Sequence, residues 1–101
     1  MPQKYRRFAD FYPYYLSEHA NRTCRRLHFV GTSGALVLLI AAAVAQNAWL
    51  VPAAIVCGYG FAWVGHFAFE KNRPATFTHP IYSLIGDWVM WAEIATGRIR
   101  F

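Results

Sequence analysis

The chain has 101 residues, so it forms one domain at most, and only 15% of them are charged while 56% are hydrophobic and 18% aromatic. Average soluble domains carry about 25% charged residues, so this chain is short of water-facing material. The net charge of +5 sits on bases that flank apolar runs, which fits the anionic face of a bilayer and argues against a nucleic-acid partner.

Residues 5–20 mix aromatics with charges: Phe8, Phe11, Tyr12, Tyr14, Tyr15 and Leu16. The pattern predicts an amphipathic helix lying in the membrane interface. Pro13 should interrupt it, since proline lacks the N–H that a helix interior needs. No cleavable leader is expected, because MPQKYRRFADFYPYY has no apolar core. In NRTCRRLHF, Asn21 reads as a helix end and Thr23 as the N-cap of the next helix.

That helix is predicted over 24–46. Residues 29–46 carry no charge and at 1.5 Å per residue would span about 27 Å, close to a bilayer core. A second uncharged run, 48–69, predicts a second spanning helix over 48–70, with Pro52 tolerated near its start. QNAW joins them as a tight polar turn. A buried hairpin of a soluble protein is the alternative, but two such runs joined so briefly are rare in soluble cores. Cys24 lies in a basic segment and Cys57 in an apolar one, so free thiols are expected rather than a disulfide.

Residues 71–79 then form a loop, and a last helix is predicted over 80–96, opened by Pro80 and ended by Gly97. It is short and contains Asp87 and Glu93, so it either spans weakly or lies against the hairpin. The expected fold is an all-α membrane protein: a transmembrane helical hairpin with an N-terminal interfacial helix and a C-terminal helix packed on it, all in one domain, 1–101. Lys4, Arg6, Arg7, Arg22, Arg25 and Arg26 precede the hairpin and Lys71 and Arg73 follow it, whereas its turn has no base. The positive-inside rule therefore puts both open ends on the cytoplasmic side. The expected location is a bacterial inner membrane, or the endoplasmic reticulum in a eukaryote.

The four histidines carry the functional signal. His28 lies 19 residues before residue 47 and His66 lies 19 after it, so an antiparallel hairpin sets both at one depth, about 28 Å from the turn. His19 ends the preceding helix and His79 begins the last one on that same side. His19 and His28 are nine residues apart, which on one continuous helix would face them oppositely. A shared site demands a bend between them. His66 and Glu70 are i and i+4 and share a helical face, so Glu70 is either a ligand or the partner of a ligand histidine's second ring N–H. Imidazoles with one carboxylate suit Fe, Zn, Cu or Ni, one ion per chain. Asp87, costly among apolar residues, should pair with a base or a ligand histidine. Tyr12, Tyr14, Tyr15, Trp49, Trp88 and Trp91 read as interfacial anchors. Arg25, Arg26, Lys71 and Arg73 read as positive-inside charges, with a minor option of holding a substrate carboxylate.

Two blocks, YLSEHANRTCRRLHFVGT with its Tyr-x3-His-x-Asn spacing and GHFAFEKNRPATF, resemble a known family: small membrane proteins related to the yeast 2-hydroxy fatty acid dioxygenase of phytosphingosine breakdown, first catalogued as a domain of unknown function. The resemblance covers about 11–91. It implies an Fe(II)-dependent enzyme that shortens 2-hydroxy fatty acids by one carbon with O2 as co-substrate. The matched positions are His19, Asn21, His28, Gly31, Gly65, His66, Glu70 and Pro74; His79 lies outside both blocks. Taken together with the shared layer of the four histidines, the expected assignment is His19, His28, His66 and His79 on one Fe2+, with the resemblance supporting the first three, Glu70 and Asn21 in catalysis, and Arg26, Lys71, Arg73 and Asp87 toward the substrate. The bilayer and the 2-hydroxy fatty acid are the expected partners, with an oligomer open. Two rivals remain: a small b-type haem protein, and a non-catalytic membrane interaction protein with interfacial histidines.

Overall fold

The structure is a computed structural model and describes residues 5–101. Lys4, one of the bases counted above, lies outside the described residues. Four α-helices follow in chain order: α1 (Phe8–Ser17), α2 (Arg22–Ala45), α3 (Leu50–Val64) and α4 (Pro80–Ala95). Among the described residues there is no strand. The protein is an all-α membrane protein. Two helical stretches, Arg22–Ala45 and Leu50–Glu70, are long and apolar enough to cross a membrane. Large apolar side chains such as Val37, Ile40, Val44, Val56 and Val64 point out of the fold, where lipid rather than water would satisfy them.

Helix α1 runs straight through Pro13, contrary to the break expected there. A proline six residues into so short a helix removes one hydrogen bond, to the first turn. Burial of Phe11 and Tyr15 on the opposite face holds the helix together. The chain then bends over residues 18–21, where the histidine spacing requires it. The N-cap of α2 is Asn21, not Thr23: its side-chain oxygen accepts the Cys24 N–H at 3.0 Å, satisfying one of the helix's free donors. Arg25 reaches back and donates to the carbonyls of His19 and Ala20 at 3.2 and 3.0 Å.

The α2–α3 hairpin closes on small residues. A Cβ on Gly31 would stand 2.5 Å from the Phe61 Cβ, and one on Gly34 would stand 2.8 Å from the Cys57 sulfur. Backbones can approach this closely only where side chains are missing, the usual device for joining helices that share no hydrophobic drive in lipid. At the far end Gln46, in the left-handed region (φ 51°), turns the chain into α3.

After α3 the helix widens. Residues Gly65–Glu70 form a π-helical turn, where an unbroken α-helix to residue 70 was expected. Such turns recur at functional sites, because the extra residue re-aims the side chains that follow. A loop with a short 3₁₀ turn, Ala75–Phe77, leads to α4, which begins at Pro80 as expected. Helix α4 lies against α1 and α2. Phe11, Tyr15, Ala75, Met90 and Ile94 form the apolar cluster between them.

Candidate metal centre

His19, His28 and His66 come from three elements and are all buried. The bend at 18–21 turns His19 back over the start of α2, and the π-turn aims His66 at it from the other strut of the hairpin. Their rings pack edge to face, with His19 centred 5.1 Å from His28 and 4.4 Å from His66.

The protons of two of these rings can be placed. His19 Nδ1 lies 2.7 Å from the Tyr15 backbone oxygen. A carbonyl only accepts, so Nδ1 carries the hydrogen. His66 Nδ1 lies 2.7 Å from Asn72 Oδ1. The Asn72 amide is oriented by its nitrogen, which donates to the Glu18 carbonyl at 3.1 Å, so His66 also carries its hydrogen on Nδ1. Both Nε2 atoms are then bare lone pairs, and they face each other at 2.9 Å. Two lone pairs so close repel unless a cation or a proton lies between them. Burial, and then the neighbouring His28 and His66 rings, push the His19 pKa well below the usual imidazole range, which disfavours the proton.

A metal fits this pair. Two imidazole nitrogens on one ion at ~2.05 Å stand about 2.9 Å apart in octahedral and about 3.3 Å apart in tetrahedral geometry. The Nδ1–H bonds to carbonyl oxygens are also the outer contacts that metal-binding histidines need.

His28 is arranged differently. Asp87 Oδ1 accepts from the Tyr15 hydroxyl at 2.6 Å and from His28 Nε2 at 2.9 Å, so His28 holds its proton on Nε2. Its Nδ1 faces the Thr32 hydroxyl at 3.4 Å. Asp87 thus finds the histidine partner that its place in an apolar helix calls for. Among the described residues no set of three His, Cys, Asp or Glu side chains already converges on one point: the tight element is a pair, with His28 beside it.

The other expected site residues go elsewhere. His79 stands apart, against the rings of Tyr5 and Phe11. Its Nε2 accepts the Tyr5 N–H at 3.1 Å, and its Nδ1 meets the Thr78 hydroxyl at 2.9 Å. Glu70 does not companion His66, because the π-turn breaks the i, i+4 register; it accepts the Asn21 N–H at 2.6 Å. Glu70 and Asn21 therefore clamp the bend between α1 and α2. Arg26 lies over the Phe101 ring and Arg73 over Phe77. Lys71 is exposed, in the left-handed region at φ 59°.

Three residues outside the expected site take part here. Tyr15, an interfacial anchor by residue type, is fully buried. Burial, and then the Asp87 carboxylate, raise its pKa well above the phenol range, so it stays a donor. Its place four residues before His19, on the same helical face, was the available signal. Arg25 ties down the bend after α1 through the very carbonyl of His19. Asn72 carried no signal, since its reach to His66 depends on the π-turn and on Lys71.

A family model described as 2-hydroxy-palmitic acid dioxygenase Mpo1-like matches residues 5–99. No curated protein and no solved structure matches the chain.

Proposed function

This chain belongs to the 2-hydroxy-palmitic acid dioxygenase Mpo1-like family, and we propose that it is an Fe(II)-dependent membrane dioxygenase that shortens 2-hydroxy fatty acids by one carbon. The observation that carries the iron reading is the pair of bare Nε2 atoms on His19 and His66, 2.9 Å apart. His19 and His66 would hold the ion, and His28 would join them only by giving up its Nε2–H bond to Asp87. Iron would supply reactivity with O2 and a Lewis-acid seat for the carboxylate and hydroxyl of the substrate.

The chain's own groups divide the remaining work. Asn72 and the Tyr15 carbonyl fix the ring orientation and tautomer of His66 and His19. Asp87, held by the Tyr15 hydroxyl, keeps a carboxylate beside His28 that can take a proton from a bound hydroxy acid. The three histidines are buried, and a low-dielectric setting strengthens every charge interaction among them. The bases near both open ends of the hairpin support a cytoplasmic site face.

The test is direct. The protein is purified in detergent, loaded with Fe(II) without oxygen, and given a 2-hydroxy fatty acid and then O2. A product one carbon shorter, formed only with metal, is expected, together with about one iron per chain by elemental analysis. No such product across a range of chain lengths would sink the proposal.

A further inference from the structure

Next to the histidine cluster, and sharing His28 and Asp87 with it, is a second cavity of about 160 Å³ between α2, α3 and α4. Its polar end is His28 and Asp87, and its walls are otherwise mostly apolar. On α2 it follows His28, Thr32, Ala35 and Leu39, a stripe on one helical face. From His28 to Leu39 is eleven residues, or about 16 Å along the helix. On α3 the facing residues include Gly58 and, one turn further from the polar end, Ala54.

The two helices form rungs across this groove. A Cβ on Gly58 would meet the Ala35 Cβ at 3.6 Å, an ordinary contact, so Gly58 and Ala35 lie level. That rung is seven residues from His28, about 10 Å. Leu39 and Ala54 form the next rung, about 16 Å along. Small residues thus keep the groove open at Ala35, Gly58 and Ala54. The groove also opens sideways: Ile55 and Leu84 in its wall are 56% and 48% exposed, on a surface where the hairpin would meet hydrocarbon.

We propose that this groove takes the acyl tail of the substrate and measures its length, with Gly58 and Ala54 as the two residues that set the limit. The inference rests on the dioxygenase reading for the identity of the head group. The occupant is argued from continuity: one end of an apolar slot, reachable from the bilayer, runs into the His28–Asp87 pair where a hydroxy-acid head would react. Bulk at Gly58 blocks the slot at the nearer rung, and bulk at Ala54 at the farther one.

The experiment compares wild type with Gly58→Leu, Ala54→Leu and Leu39→Ala on a chain-length series of 2-hydroxy fatty acids. Two readouts are taken: turnover of the iron-loaded protein, and displacement of a fluorescent fatty acid from the metal-free protein. Gly58→Leu should lower the long-to-short ratio about tenfold or more, since each misplaced methylene carries such factors. Ala54→Leu should act only on the longest chains, and Leu39→Ala should shift the preference to longer ones. Folding is checked by helical circular dichroism, and if Gly58→Leu fails it, the opposite shifts of Ala54→Leu and Leu39→Ala decide. An unshifted length profile in both readouts overturns the groove assignment. Length-dependent binding that shifts as described, without turnover in wild type, leaves the groove standing and overturns the dioxygenase reading instead.

Discussion

The Nε2 atoms of His19 and His66 face each other at 2.9 Å while each Nδ1 donates to a carbonyl oxygen. The Asn72 amide sets half of this arrangement, which makes Asn72 a positioning residue for a metal it does not touch. Asn72→Ala should weaken Fe(II) or Zn(II) binding by about 10–100-fold, the usual effect of removing a histidine's outer partner. Asn72→Asp restores an acceptor for His66 and should recover part of that loss. Metal titration of the apo-protein by calorimetry reads both; equal affinities in wild type and Asn72→Ala would dismiss the role.

His79 separates the four-histidine expectation from the three-ring cluster. Its ring is a packing element with both nitrogens engaged locally. His79→Gln should therefore leave the iron-to-chain ratio unchanged, whereas His66→Ala should abolish stoichiometric binding. His79→Ala should lower thermal stability by about 1 kcal/mol or more, because the Tyr5 N–H then loses its acceptor. Loss of iron on His79→Gln, with the fold intact by circular dichroism, would return His79 to the site.

The helices, the hairpin and the shared depth of His28 and His66 were legible in the sequence because they follow from hydropathy and from one rise per residue. The bend before Asn21 was legible too, through the angular mismatch of His19 and His28. What could not be read was the π-turn. GHFAFE looks like the end of an ordinary helix, and periodicity alone assigns Glu70 to the His66 face. One extra residue in the turn sends Glu70 to the Asn21 N–H and brings Asn72 to His66. Pro13 misled for a related reason: a local rule predicted a break, and burial of Phe11 and Tyr15 outweighed one missing hydrogen bond. Tyr15 was assigned by residue type, when its spacing to His19 held the better information.

The hairpin contact makes a paired prediction on glycines. A Cβ at Gly31 would overlap the Phe61 Cβ, at 2.5 Å, while one at Gly60 meets nothing within 4 Å. Gly31→Ala must push α2 and α3 apart and should destabilise by about 1–3 kcal/mol, as overpacking does. Gly60→Ala should instead be neutral or slightly stabilising, by up to about 1 kcal/mol, because alanine favours the helix. Melting temperatures in one detergent compare them, and equal melting of the two variants would contradict the close packing described.

Tyr15 gives the sharpest test of the link between α1 and the site. Its hydroxyl is the only part of the side chain that reaches Asp87, at 2.6 Å; the ring itself packs with Phe11 and lies 4.2 Å, centre to centre, from the His19 ring. Tyr15→Phe keeps the ring and deletes the donor. A hydrogen bond to a carboxylate is worth about 1.5–3 kcal/mol, so the variant should melt lower by a corresponding amount. The same deletion leaves Asp87 with His28 as its remaining partner, which draws His28 more firmly away from the His19–His66 pair. Turnover on a 2-hydroxy fatty acid should fall more than KM rises, because the tail groove is untouched while the carboxylate beside the reacting head is displaced. Asp87→Asn should fall further, since it removes the charge as well as the acceptor. A Tyr15→Phe variant with unchanged melting and unchanged turnover would mean that the phenol is a spectator and that Asp87 is held by His28 alone.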